Sequence, residues 1–337
     1  MGALGIGALT LLDWAKRLDP NGGVPDIVEL LNQTNPILED MVWMEGNLPT
    51  GHRTTVRTGL PAVAWRLLNG GVIPSKSRTA QIDEACGMLE AWSEVDKDLA
   101  LLNGNVNEFR GSEGEAFIEA MNQEMAGTMF YGNSGTAPEE FTGLAPRYSA
   151  ISGATNAQNV IDGGGTGSDN TSIWLVNYGK RSFHGIFPKG SKAGLIQEDK
   201  GEQMIQNAGG VTGARMVALV ERYQWKAGVV LKDWRQVVRI CNLDISDLVA
   251  NGGSAADIIV ALIKATNRIP NLETAGGRPV IYMNRTVAQM LDIQRRDDVV
   301  AGGQLAYDVV DGVRKRSFNG IPIRVCDALL NTEARVT

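Results

Sequence analysis

Apolar side chains recur every fourth residue at Phe117, Met121, Met125 and Met129, within "SEGEAFIEAMNQEMAGTMFYGN" (112–133), while the glutamates fall on other faces. That spacing predicts one long amphipathic helix with an acidic outer side. Ser112 followed by Glu115 reads as a capping box at its start, and Gly132-Asn133 as its stop. Upstream the period is two. Arg53, Thr55 and Arg57 alternate with Thr54, Val56 and Thr58, and after a break at Gly59-Leu60-Pro61 the pattern resumes with Val63, Trp65 and Leu67. Asn69-Gly70-Gly71 is a hairpin turn signal, so residues 52–81 predict a two-stranded arm. At ~3.3 Å per residue, about 13 residues reach roughly 40 Å. A compact body of this length has a radius of gyration of roughly 20 Å. Such an arm cannot be covered by its own domain; it lies in solvent or on another molecule.

Elsewhere the patterns are mixed. Residues 1–45, divided by Pro20, Pro25 and Pro36, predict an arm of short helices without a core of its own. After about 141, "TSIWLVNYG", "FHGIFPKG", "RMVALVERYQWKAGVVL", "QVVRICNL", "RPVIYM" and "IPIRVCDAL" read as strands. "SAADIIVALIKATNRI" and "NRTVAQMLDIQRR" read as helices, each with a capping Ser or Asn ahead of it. "DGGGTGSDN" is a loop. Strands and helices interleave without a regular βαβ series, which predicts an α+β fold.

Charge changes the picture most. The chain carries a formal net charge of −6 over 337 residues, yet 52–81 holds Arg53, Arg57, Arg66, Lys76 and Arg78 and no acid. The next segment, Asp83 to Glu124, has eleven acids against Lys97 and Arg110, a net of −9. The two could fold onto each other within one chain. The ribbon's length favours a neighbour's acidic surface instead, Arg53, Arg57, Trp65, Arg66, Lys76 and Arg78 meeting Glu113, Glu115 and Glu119 of another copy. A patch that contacts a different patch on the next copy closes into rings or runs on. Each exposed pair contributes only about 0–1 kcal/mol, which suits an assembly that corrects misplaced subunits.

Catalytic signatures do not emerge. There is no phosphate loop, no GxSxG elbow, and no zinc-protease or EF-hand pattern. The glycine-rich loop lacks dinucleotide-binding spacing. His52 and His184 read as structural or exposed, and Asp297-Asp298 and the Asp244/Asp247 pair as solvated turns and caps. Tyr223, Trp225 and Trp234 read as core aromatics without a basic cluster for stacking bases. Cys86, Cys241 and Cys326 are scattered and odd in number, so we expect buried free thiols, no disulfide and no metal centre. No cofactor is expected. No apolar run approaches the ~20 residues of a membrane span, and the start lacks a signal-peptide pattern, so the expectation is a soluble, unexported chain.

The runs "NQTNPILEDMVWMEGNLPTGHRTTVRTGLPAVAWRLLNGG", "LEAWSEVDKDLALLNGN" leading into a helix, "FYGNSGTAPEEFTGLAPRYS", "TSIWLVNYGKRSFHGIFPKGSKAGL" and "LKDWRQVVRICNLDISDL" together resemble the major capsid proteins of short-tailed and related bacteriophages. The resemblance spans nearly all of the chain. It implies the Hong Kong 97-type fold, with an N-terminal arm (1–49), an E-loop hairpin (50–95), a peripheral domain with a spine helix (96–140), an axial domain with interleaved peripheral strands (141–315) and a closing peripheral strand (316–337). The spine helix itself would be 108–131. It further implies a shell of hexamers and pentamers around double-stranded DNA, assembled in the host bacterial cytoplasm. Scaffolding and portal proteins would be partners, with a decoration protein as an optional third. Contact with DNA would be non-specific and weak, since no basic stripe lies outside the ribbon. No Lys/Asn arrangement supports an isopeptide crosslink. An encapsulin-like compartment is the alternative within this fold, and the contents of the lumen discriminate.

Overall fold

The computed structural model describes residues 33–102, 106–206, 212–251, 256–270, 272, 277–297, 305–310 and 313–337. The helices expected within the first 32 residues, and the Ser254 cap, lie outside them. In chain order the strands are β1 (Trp43–Glu45), β2 (Gly51–Gly59), β3 (Arg78–Ala85), β4 (Gly87–Asp96), β5 (Val160–Asp162), β6 (Asn170–Tyr178), β7 (Phe183–Phe187), β8 (Leu195–Gln206), β9 (Arg215–Leu231), β10 (Val237–Asp244), β11 (Arg278–Met283), β12 (Leu305–Val310), β13 (Val313–Phe318) and β14 (Ile321–Val325). Among the described residues twelve strands join one sheet, along the path β12-β13-β14-β11-β6-β7-β9-β4. β1 adds to β7, β8 to β9, and β10 to both β6 and β5, while β2 and β3 form a ribbon of their own.

β6 explains the architecture. All nine of its residues are buried, so both faces are covered. Alternation sends Trp174, Val176 and Tyr178 into one core, with Met125, Met129 and Phe130 of the long helix. It sends Ile173 and Leu175 into a second core, with Leu262 and Ala265 of the helix Ile258–Arg268 and Val287 and Leu291 of the helix Arg285–Asp297. β10 and β11 divide in the same way. Cys241 and Tyr282 face the first core, and Ile240 and Ile281 the second. Fully burying each such side chain is worth about 1.5–3 kcal/mol, so β6 is held from both sides.

The long helix runs Val106–Tyr131, and its methionine stripe is buried as expected. Its start differs. Ser112 lies inside the helix, not at its cap, because Phe109 packs with Val95 and Ala100 and carries the helix upstream. Tertiary packing outweighs the local capping signal. The helix stops where Gly132 donates its N–H to the Thr128 carbonyl. The helix Ile258–Arg268 is capped by Asp257, whose carboxylate accepts from the Val260 N–H at 2.9 Å. Asn284 caps the helix after it, accepting from the Thr286 N–H at 3.0 Å.

Two segments not read as strands from the sequence are strands. "GMLEAWSEVD" is β4, paired residue for residue with β9, and the short helix Lys97–Leu101 follows it. Residues 195–206 form β8 on the other edge of β9. Residues 33–45 are docked rather than loose: Ile37 and Met41 are in the first core. Asp40 is buried there, accepting from Tyr282 Oη at 2.8 Å and pairing with Arg278 and with Arg324 at 3.1 Å.

Candidate intersubunit interface

The hairpin's root is held at several points. Arg147 clamps Glu84 through two hydrogen bonds of 2.5 and 2.7 Å, and donates to the Gly143 and Thr142 carbonyls. Such a bidentate, largely buried pair fixes orientation as well as energy. Gly51 has no room for a Cβ, which would stand 2.0 Å from the Glu84 carbonyl oxygen. Asn47 and Arg53 exchange two bonds along the outer edge of β2. Beneath the root, His52 meets the fully buried His184 edge to face, with ring centroids 6.2 Å apart. Burial, then the nearby Lys232 charge, keeps both imidazoles below their ordinary pKa, His184 at about 4.

Beyond the root no described residue covers the arm. The ladder ends at Gly59 opposite Arg78, so the strand expected through Val63–Leu67 does not form. Pro61 and Pro74 remove the N–H donors that a ladder there would need. The arm still keeps its register: Ser75 Oγ donates to the Ala62 carbonyl, and Gly70 N–H closes a turn on Leu67. Asn69 takes φ = 63° in that turn. Leu60, Val63, Trp65, Leu67, Leu68 and Ile73 are each more than four-fifths exposed, Trp65 fully so at 104%. A continuous apolar surface of this kind marks a contact site.

The charges redistribute. Arg53 is matched within the chain, its guanidinium gripping Asp83 across the ribbon at 2.6 Å. That hydrogen-bonded pairing holds the Asp83 carboxyl below its ordinary value. Arg57, Arg66, Lys76 and Arg78 make no ion pair with a described residue. Of the acidic segment's acids, Asp83, Glu84 and Glu90 pair with bases within the chain, while its two bases, Lys97 and Arg110, are taken by acids outside it. Arg222 binds Glu90 at 2.8 and 2.9 Å, driving that carboxyl down to about 2. Lys97 pairs with Glu202. Arg110 meets Glu221 and Asp199 at 2.6 and 2.8 Å.

Of the three helix glutamates expected at the interface, Glu115 is exposed and Glu113 half-buried. Glu119 accepts from the Gln33 N–H at 2.9 Å and from the Gln123 side chain at 2.8 Å. Burial raises the Glu119 carboxyl, but these bonds outweigh it and leave the pKa lowered. Arg57, Trp65, Arg66, Lys76 and Arg78 share one projecting arm, while Glu113, Glu115 and Glu119 stand between the second turn and the middle of the long helix. The charge count passed over the arm's apolar content, although Leu60, Val63, Leu67, Leu68 and Ile73 stand in plain sequence between Pro61 and Pro74 or beside them.

A body with two main cores divided by a layer of buried strands, a long helix across one of them and a projecting apolar hairpin is the subunit of a Hong Kong 97-type shell. The sequence from residue 19 to 337 matches the model of the family described as "Major capsid protein GP7". The chain belongs to that family: it is a bacteriophage major capsid protein. A cryo-electron-microscopy structure of bacteriophage Epsilon15 is similar over 100% of this chain and 99% of its own, at 33% identity and a TM-score of 0.78. The capsid of bacteriophage JBD30 aligns over 89% of this chain and 93% of its own, at 12% identity and a TM-score of 0.47. The SrpI encapsulin complex of Synechococcus elongatus PCC 7942 aligns over 69% and 97%, at 10% identity and 0.46. No curated protein matches the sequence.

Proposed function

We propose that copies of this chain join through hexamers and pentamers into an icosahedral head that encloses double-stranded DNA, assembled in the host bacterial cytoplasm. The observation that supports this reading is the arm itself, rigid at its root and bare and apolar from Leu60 to Ile73. A subunit in isolation gains nothing from that surface; a neighbour that covers it does. Arg57, Trp65, Arg66, Lys76 and Arg78 form the giving side of the contact, and the acidic face carrying Glu113, Glu115 and Glu119 belongs to the receiving side. Giving and receiving surfaces differ, so the contact is heterologous and propagates into rings.

In the same reading residues 1–49 are the N-terminal arm and 50–95 the E-loop with its return. Residues 96–140 are the peripheral domain with the spine helix, 141–315 the axial domain with interleaved peripheral strands, and 316–337 the last peripheral strand. The division into two cores at β6 is in keeping with two domains. Scaffolding and portal proteins act as further partners, with a decoration protein as an optional third. The chain performs no catalysis. Contact with packaged DNA is weak and non-specific, in keeping with the net charge of −6.

Electron microscopy of the purified protein tests assembly directly, with rings, tubes or shells expected. Particles from infected cells should protect double-stranded DNA from nuclease. Particles filled with a protein cargo and free of DNA would favour a compartment instead.

A further inference from the structure

A cleft of about 650 Å³ opens between the end of β6, the turn into β7 and the start of β11. That size falls within the roughly 300–1,000 Å³ of ligand-binding clefts. Asn177 lies in its wall and is 5% exposed. Gln236 Nε2 donates to the Pro270 carbonyl at 3.3 Å, which turns Gln236 Oε1 toward Asn177. Asn177 Nδ2 donates to that oxygen at 2.7 Å, so Asn177 Oδ1 is the atom left over, and it has no partner. Against it stands only backbone: a Cβ at Gly277 would lie 2.3 Å from Oδ1. A buried acceptor without a donor is a standing cost that a ligand's N–H removes.

Charge says what else the ligand carries. Lys180 and Arg181, in the turn from β6 to β7, are exposed and make no ion pair with a described residue. Lys232 braces that turn, donating to the Lys180 carbonyl at 3.1 Å, and likewise has no ion pair with a described residue. Arg278 shares Asp40 while its side chain stays 57% exposed. The acid in the lining, Asp233, is taken by Arg235 at 2.8 Å. Residues far apart in sequence thus gather positive charge around one cleft of an acidic protein.

We propose that this cleft binds an extended acidic segment of a protein other than this chain, its Asp or Glu carboxylates held by Lys180 and Arg181 and one main-chain N–H directed at Asn177 Oδ1. Nucleic acid fits less well. A phosphodiester backbone offers acceptors, which satisfy the bases but leave Asn177 unanswered. A second copy also fits less well. Its acids Glu94, Glu115 and Glu124 stand on β4 and the long helix, and a helix of ~10–12 Å diameter cannot enter the cleft. None of the cleft residues lies within 50–95, so the site is independent of the hairpin contact.

The test uses the full chain and fluorescein-labelled octapeptides alternating Asp, Leu and Glu, with Asn, Leu and Gln counterparts and a short DNA duplex beside them. Fluorescence anisotropy at low salt should show the acidic peptide bound about tenfold more tightly than the amide peptide. Lys180→Glu/Arg181→Glu, at two exposed turn positions, should weaken it about tenfold, and Lys180→Arg/Arg181→Lys should retain it. Methylating the peptide's main-chain nitrogens one at a time should reveal a position that costs several-fold. The hairpin variant Arg66→Glu/Lys76→Glu should bind as the unaltered chain does. Four results each overturn the proposal: equal weakening in the hairpin variant, no methylation-sensitive position, no binding of the acidic peptide at millimolar concentration, or tighter binding of the duplex that Lys180→Glu/Arg181→Glu abolishes. Self-association lost in Lys180→Glu/Arg181→Glu, with the peptide unbound, assigns the cleft to a second copy and overturns it as well.

Discussion

Nη2 of Arg239 lies 2.8 Å from Oε2 of Glu333, and both side chains are about 95% buried. Arg239 also donates to Ser172 Oγ and to the Tyr148 carbonyl, and its guanidinium stands 5.1 Å from the Trp174 ring centre. Glu333 accepts in turn from Ser172 and Tyr131. The network joins the end of the long helix, β6, β10 and the chain's last residues. Removing one partner leaves a buried charge unmatched, which costs about 3–5 kcal/mol. We expect Arg239→Met to lower subunit stability by that amount in urea unfolding, and the double variant Arg239→Met/Glu333→Gln to lose less than Arg239→Met alone. Equal or additive losses would show that the two do not act as a pair.

Two glycines three residues apart in the long helix should respond oppositely. A Cβ on Gly111 meets open space, so Gly111→Ala gains about 0.5–1 kcal/mol from helix propensity. A Cβ on Gly114 would stand 2.6 Å from Tyr223 Oη. Tyr223 cannot easily retreat: its ring stacks on Phe117 at 5.8 Å and its hydroxyl donates to Glu221 at 2.5 Å. Overpacking of this kind costs about 1–3 kcal/mol, so Gly114→Ala should melt lower than the unaltered chain. Calorimetry of both variants checks the sign.

His184 and His52 make the root of the hairpin sensitive to acid. Each has a folded-state pKa below its unfolded value, so the unfolded or opened form binds more protons in that interval. Stability from neutral His184 is therefore complete above about pH 6.5 and declines as pH falls toward about 4. Corrected for the pH dependence of intrinsic exchange, hydrogen exchange at residues 51–54 and 183–186 should quicken over that window and be flat above it. In His184→Leu the quickening should shrink; an unchanged pH profile would assign it elsewhere.

All three cysteines are free among the described residues, and burial pushes Cys86 and Cys241 up to about 11 and Cys326 to about 12. Thiol labelling of the native protein at pH 8 should run at least about tenfold slower than for an exposed cysteine, because little thiolate forms. Three thiols should appear on denaturation without reductant. A count of one would reveal a disulfide.

Deletion of residues 66–74 should leave the subunit's melting temperature within about 2 °C, since that segment touches no core. Shell yield should fall below detection in sedimentation. Closed shells at normal yield would remove the arm from the assembly contact.

Helix and strand periods revealed most of the body: the methionine stripe, β6, β7, β9, β10 and β11 lie where their patterns put them. What escaped was pairing at a distance. The acid-free count ended at Gln81, yet the ribbon's register sets Asp83 opposite Arg53, so one interface charge is satisfied at home. Glu119 is engaged by the Gln33 N–H, 86 residues away in sequence. β4 was obscured by its acids, because Glu90 is acceptable on a strand once Arg222 is known to lie on the neighbouring one. Phe109 lengthened the long helix through a contact with Val95 that no local signal announces.

The clamp of Glu84 by Arg147, with Gly51 pressed against the same backbone, ties the hairpin's direction to the body that carries it. An arm of roughly 45 Å turned by one degree at such a fixed root sweeps its tip by nearly an ångström. The hairpin is therefore a gauge of tilt: a subunit seated a few degrees wrong presents its Trp65 several ångströms from where a correctly seated one would. In a growing shell, angular error would be read as misfit at the far end of the arm, where weak contacts can still let go.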